Sequence, residues 1–250
     1  MRRRTLTLVG VASFVSGLVL ATVGATAHTA GTYYGKKWYS GTFNGRVEDT
    51  IVEWRFVETV PAMGERAAIK RGADDWNQNS SGVPYTTMQF NFESAAADYN
   101  QHRTGYSPDY QQNKIGWKSY GDDTDVSTSA GPETETLGLA ESCFIDTHMF
   151  NFKIMFNRDY NWYVGTDPVP ADKWDLWSVA AQEFGHATGF NKGGSTEDPG
   201  HWGENWDLCP NPGEANSDYR HSLCPFVYKS NKAMRNLEEH DVDTFKNAYQ

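Results

Sequence analysis

Beyond the run Arg2-Arg3-Arg4, the sequence has no cluster of basic residues, no internal repeat, no second block of composition and no long charged tract. In a chain of formal net charge −10, the missing basic clusters argue against nucleic acid or an anionic membrane as partner. Without repeats or composition blocks, the expectation is one domain with a sizeable core. Only three cysteines occur, Cys143, Cys209 and Cys224, so an exported chain would hold one disulfide and one leftover thiol. There is no Gly-x-Ser-x-Gly, and Cys143 has no basic neighbour in sequence, which leaves serine or cysteine hydrolysis without support. The apolar stretch from Leu6 to Val23 is short for a stable membrane span and is interrupted by Ser and Gly.

That same stretch, preceded by Arg2, Arg3 and Arg4 and followed by Ala25-Thr26-Ala27, has the three-part layout of a secretory signal peptide. Residues 1–27 are therefore expected to be removed and residues 28–250 to form the domain. Removing the three signal arginines from 22 basic residues leaves 19 against 32 acidic ones, a mature charge of −13. The expectation is a soluble, secreted, extracellular protein, monomeric and without membrane attachment once the signal is cleaved.

Periodicity supplies the elements. Val52, Trp54 and Phe56 alternate with Glu53, Arg55 and Val57, as in a strand with one buried face. Ala68, Ile69, Gly72, Ala73 and Trp76 fall at helical spacing and predict an amphipathic helix over Gly64 to Asn77. Met88, Phe90 and Phe92 alternate again, and further strands are expected around Ile115, over Leu137 to Ile145 and over Phe152 to Phe156. A second helix begins after Asp175, a reasonable N-cap, with Leu176, Val179 and Ala180 facing the sheet. Leu237, Val242, Phe245 and Tyr249 mark a C-terminal helix. This order suggests an α+β layer architecture. Residues 190 to 220 are irregular and rich in Gly, Pro and Asn, the usual composition of a substrate-facing rim. Asn79-Ser80-Ser81 is a glycosylation sequon that matters only in a eukaryotic host.

The chemistry concentrates in Gln182-Glu183-Phe184-Gly185-His186-Ala187-Thr188-Gly189. In the motif His-Glu-x-x-His, two imidazoles four residues apart reach one metal from a single helix face, and the Glu activates a metal-bound water. Here Glu183 and His186 are present and Gln182 stands at the first imidazole's position. Gly189, three residues on, can take positive φ and end the helix in a sharp turn.

Together with the lead-in Asp175 to Ala181 and the downstream run His221 to Tyr228, this stretch resembles the matrixin branch of the metzincin zinc proteases. The resemblance implies a single zincin-like domain, a twisted and mostly parallel five-stranded sheet with three helices. It also implies zinc as cofactor and a protein or peptide as substrate. Lys192 stands where the third ligand of that pattern belongs, and Leu223, before Pro225, where the turn beneath the metal carries Met. Leu conserves that volume. His201 is the best replacement third ligand, because the turn-forming residues Gly193, Gly194, Pro199 and Gly200 let a compact loop return the chain to the site. His221 and His240 are read as structural.

The implied assignment is zinc on His186, His201 and Gln182, with Glu183 as general base. A disulfide joining Cys209 and Cys224, which flank the loop that would close over the metal, is preferred, and a bridge involving Cys143 stays open. Closing a loop of that length contributes roughly 3 kcal/mol in the chain-entropy model. No cysteine lies between the signal and the first strand, so a latency peptide that places a thiolate on zinc is not expected. The acidic run Asp122-Asp123-Thr124-Asp125 could hold calcium but matches no defined calcium loop. A secreted metalloendopeptidase with a weakened or rearranged metal site is the leading reading. The alternative is a degenerate fold of the same kind that binds proteins or glycans, for which nine Trp and thirteen Tyr would suit the surface.

Overall fold

The computed structural model describes residues 37–38, 41–43, 46–48, 51–56, 63–93, 113–118, 137–145, 148–189, 232 and 235–249. A short antiparallel pair comes first, β1 (Gly41–Phe43) with β2 (Arg46–Glu48). In β3 (Ile51–Phe56) the period-two pattern is realised directly: Val52, Trp54 and Phe56 are buried while Ile51 and Glu53 are exposed. The chain then forms α1 (Met63–Asn77), which buries Ala68, Ile69, Gly72, Ala73 and Trp76 as their spacing predicts, and returns as β4 (Gln89–Phe92) parallel to β3. A helical crossover is the ordinary way to join two adjacent parallel strands.

Next come β5 (Asn113–Lys118), β6 (Gly138–Ile145) and β7 (His148–Asn157). They complete a five-stranded sheet of order β4-β3-β5-β7-β6, parallel except for the antiparallel β6 at its edge. After β7, the two-residue strands β8 (Trp162–Tyr163) and β9 (Trp174–Asp175) pair in parallel and deliver the chain into α2 (Leu176–Ala187). The last element, α3 (Glu239–Tyr249), starts two residues after Leu237, which packs on the core from outside the helix. The fold of the described residues is therefore mixed, with a five-stranded, mostly parallel sheet and three helices. Among the described residues no helix is long and apolar enough to cross a membrane.

One core joins the sheet to the helices. Phe184 of α2 sits among Trp54, Phe90 and Phe152, with ring centroids 5.2, 4.9 and 5.9 Å away in edge-on geometry, the arrangement aromatic quadrupoles favour. Ala180 departs from the expectation that it faces the sheet. A Cβ built on Gly72 would lie 2.6 Å from the Ala180 Cβ and 2.6 Å from the Ala181 nitrogen, so Ala180 lies against α1. Helices this close need glycine at the crossing. Trp76 fastens it further by donating from Nε1 to the Ala181 carbonyl, 2.7 Å.

Two buried amides do the work of missing ladder bonds. Asn77 accepts from the Phe90 nitrogen and donates to the Phe90 carbonyl, 2.6 and 2.8 Å, tying the end of α1 to β4. Asn113 accepts from the Phe152 nitrogen and donates to the Glu53 carbonyl, 2.8 and 2.7 Å, linking β5 to both its neighbours. Satisfied in this way, they avoid the penalty of a buried unpaired amide.

Candidate active-site helix

Helix α2 is anchored at its start by a buried ion pair. Asp175 takes extended backbone angles (φ −82°, ψ 107°) and its carboxylate accepts from the Ser178 nitrogen and hydroxyl at 3.0 and 2.6 Å, the N-cap role its side chain suggested. Arg235, just before α3, grips the same carboxylate with Nε and NH2 at 2.7 and 2.6 Å. Two further guanidinium hydrogens go to the Thr166 and Gly165 carbonyls, 2.9 and 3.1 Å. Asp175 is 0% and Arg235 4% exposed, so removing either partner would strand a buried charge, a loss of about 3–5 kcal/mol.

Beside this pair lies Trp177, with the guanidinium carbons of Arg71 and Arg235 each 4.9 Å from its ring centroid. Its Nε1 donates to Asp75 of α1 at 2.5 Å. Burial pushes the Asp75 carboxyl up to about 8, against the opposing pull of the Trp177 N–H and the two arginines.

The motif residues follow along the helix. Gln182, Glu183 and His186 are 6%, 5% and 7% exposed, so all three lie within the fold. Four residues of α-helix bring Gln182 and His186 to one face, as the spacing predicts. Glu183 turns to the edge strand β6. A Cβ built on Gly138 would stand 2.8 Å from its Oε1, and the Ala140 backbone N–H bonds its carboxyl. Burial raises that carboxyl to about 8, partly offset by the Ala140 bond. Burial therefore favours the protonated form of the Glu183 carboxyl, and a neighbouring cation would favour the carboxylate.

The helix ends as Gly189 foretold. Thr188 is the C-cap, the Gly189 nitrogen bonds the His186 carbonyl at 3.0 Å, and Gly189 has φ 82°. In this left-handed region an L side chain is strained.

Of the residues the sequence singled out, the structure brings together Gln182, Glu183 and His186. His201, Lys192, His221, Leu223, Pro225, Cys209 and Cys224 lie outside the described residues, as do the signal segment 1–27 and the acidic run 122–125. The backbone of Cys143 belongs to β6 and its side chain is outside the description. Sequence reasoning missed Gly138, Arg235 and Trp38 and read Tyr249 only as a mark of the C-terminal helix, because their contacts with α2 span large sequence separations.

One imidazole and one amide oxygen share a helix face with a carboxyl beside them, whereas a catalytic zinc takes three protein ligands. Among the described residues no group of three or more His, Cys, Asp or Glu could hold a metal ion. No known family model matches this chain, and no curated protein matches it significantly.

Proposed function

We propose that the chain is a secreted, matrixin-like metalloendopeptidase whose metal site has lost one imidazole. The observation that carries this reading is the burial of Gln182, Glu183 and His186 on one capped helix, with the Glu183 carboxyl held against the backbone of an edge strand. Zinc would be held by His186, Gln182 and His201. Bound there, it supplies the Lewis acidity that activates water and polarises a peptide carbonyl. Glu183 accepts the water proton at its carboxylate. The Ala140 N–H and the wall formed by Gly138 orient that carboxylate. Among the described residues β6 is the edge of the sheet, where an extended peptide pairing with its backbone would lie along the helix's acid.

One feature favours the second reading, a binding module on a degenerate protease fold. Gln182 offers only an amide oxygen, a far weaker zinc donor than imidazole.

Zinc content and hydrolysis of a casein-type peptide separate the two, measured for wild type and Gln182→His, each with Glu183→Gln as control. A protease with one missing ligand should gain more than about 100-fold from Gln182→His, since even losses around the ligands cost about 10- to 100-fold. The gain should disappear when Glu183→Gln is added. No gain in zinc binding or hydrolysis would overturn the protease reading and leave the binding module in its place.

A further inference from the structure

The last turn of α2, which carries His186, is held from outside the helix by both ends of the described chain. A helix end leaves carbonyls that need donors, and here two are supplied by aromatic side chains. The Trp38 indole donates from Nε1 to the Ala187 carbonyl at 2.9 Å. The Tyr249 hydroxyl donates to the Thr188 carbonyl at 2.5 Å and accepts from the Trp38 backbone nitrogen at 3.1 Å. A hydroxyl can donate and accept at once, which lets Tyr249 close the triangle. All the groups are out of water: Trp38 is 8%, Tyr249 6%, Ala187 0% and Thr188 1% exposed. The rings are themselves braced, Trp38 on Phe152 at 6.3 Å and Tyr249 on Phe245 at 5.2 Å, and Lys37 donates from Nζ to the Ala248 carbonyl at 3.1 Å.

We propose that Tyr249 and Trp38 are positioning residues that set the last turn of α2, and with it the His186 imidazole, relative to the sheet. The helix's own bonds do not define that placement. They would survive a small tilt of the helix end as a unit, whereas the two bonds to its final carbonyls would not. The consequence for zinc rests on the metallopeptidase reading. The consequence for the turn does not.

The test uses the full mature chain and Tyr249→Phe, which removes the hydroxyl and keeps the ring on Phe245. Amide hydrogen exchange is followed by mass spectrometry over residues 184–189 and, for comparison, residues 63–77. Ile115→Ala, a buried core change on β5 away from Tyr249, is the control for a purely structural effect. Expected for Tyr249→Phe is exchange about tenfold faster at 184–189, with 63–77 little changed, and zinc affinity, read by competition with a chromogenic chelator, about 10- to 100-fold weaker. Ile115→Ala should not single out 184–189. Unchanged exchange there, or the same pattern from Ile115→Ala, would overturn the proposal. If wild type takes up no zinc, the metallopeptidase reading fails while the exchange measurement still decides the role of Tyr249. Should Tyr249→Phe not accumulate folded, Trp38→Phe reaches the same turn through the Ala187 carbonyl and carries the same outcomes.

Discussion

Gly138 shows how much a single residue decides at this site. The side chain of Glu183 occupies the space that a Cβ there would need, at 2.8 Å from Oε1 and 3.0 Å from Cγ. Oε1 belongs to a mobile carboxyl, but Cγ lies nearer the helix backbone and has less freedom to yield. Gly138→Ala should therefore cost about 1–3 kcal/mol by overpacking and pull the carboxyl from the Ala140 N–H. A double-mutant cycle with Glu183→Ala checks this by urea unfolding. The penalty should largely vanish once the Glu183 side chain is gone. Additive effects would show that the contact does not carry the cost. Gln182 makes a contrasting case, because its departure from the motif is visible in the sequence while the reason for Gly138 is not. The helical period alone places residues four apart, but no local pattern announces that β6 will lie against Glu183.

The elements divide along the same line. Strand β3 was legible because Val52, Trp54 and Phe56 alternate, and α1 because its buried residues recur at helical spacing. Helix α2 was legible from Asp175 at its start and Gly189 at its end, since capping chemistry is written within one turn. The partner of Asp175 was not legible. Arg235 lies 60 residues away and only the folded chain shows the two in contact. Nor was the side on which Ala180 packs, because periodicity finds a buried face without saying what covers it. The crossing of α1 and α2 at Gly72 yields a prediction of definite sign. Alanine favours helix over glycine by about 1 kcal/mol, yet a Cβ at position 72 would meet the Ala181 nitrogen at 2.6 Å and the Ala180 carbonyl carbon at 2.7 Å. Backbone cannot swing aside as a side-chain tip does. Gly72→Ala should therefore lower stability by about 1–3 kcal/mol net, read from the denaturation midpoint. A stabilised variant would refute the close approach.

For the whole molecule, the carboxyls that bind their protons more tightly on folding set how stability depends on pH. Asp75 has an ordinary value of 3.8 and is raised to about 8 in the fold, chiefly by burial. The folded chain thus holds this proton more tightly than the unfolded one. Its contribution is fully present below about pH 4 and is lost as pH rises through about 8, at up to about 1.4 kcal/mol per pH unit. Asp75→Asn keeps an acceptor for the Trp177 N–H and cannot ionise, so guanidinium midpoints should fall less steeply between pH 4 and 8 than in wild type. Glu183, Asp74 and Glu238 are raised in the same direction, so the slope should shrink without disappearing. An identical slope in the variant would show that Asp75 stays solvated.

The triangle of Trp38, Thr188 and Tyr249 bears on time as well as on geometry. Its bonds join residues 211 and 61 positions apart, and contacts so distant in sequence form late because long loops must close first. On the ribosome, the turn beyond His186 has been made long before Tyr249 emerges to hold it. Helix α2 thus takes its final setting only after residues as far along as Tyr249 have been made, and a nascent fragment lacking α3 would contain Gln182, Glu183 and His186 without the brace on the turn that follows them.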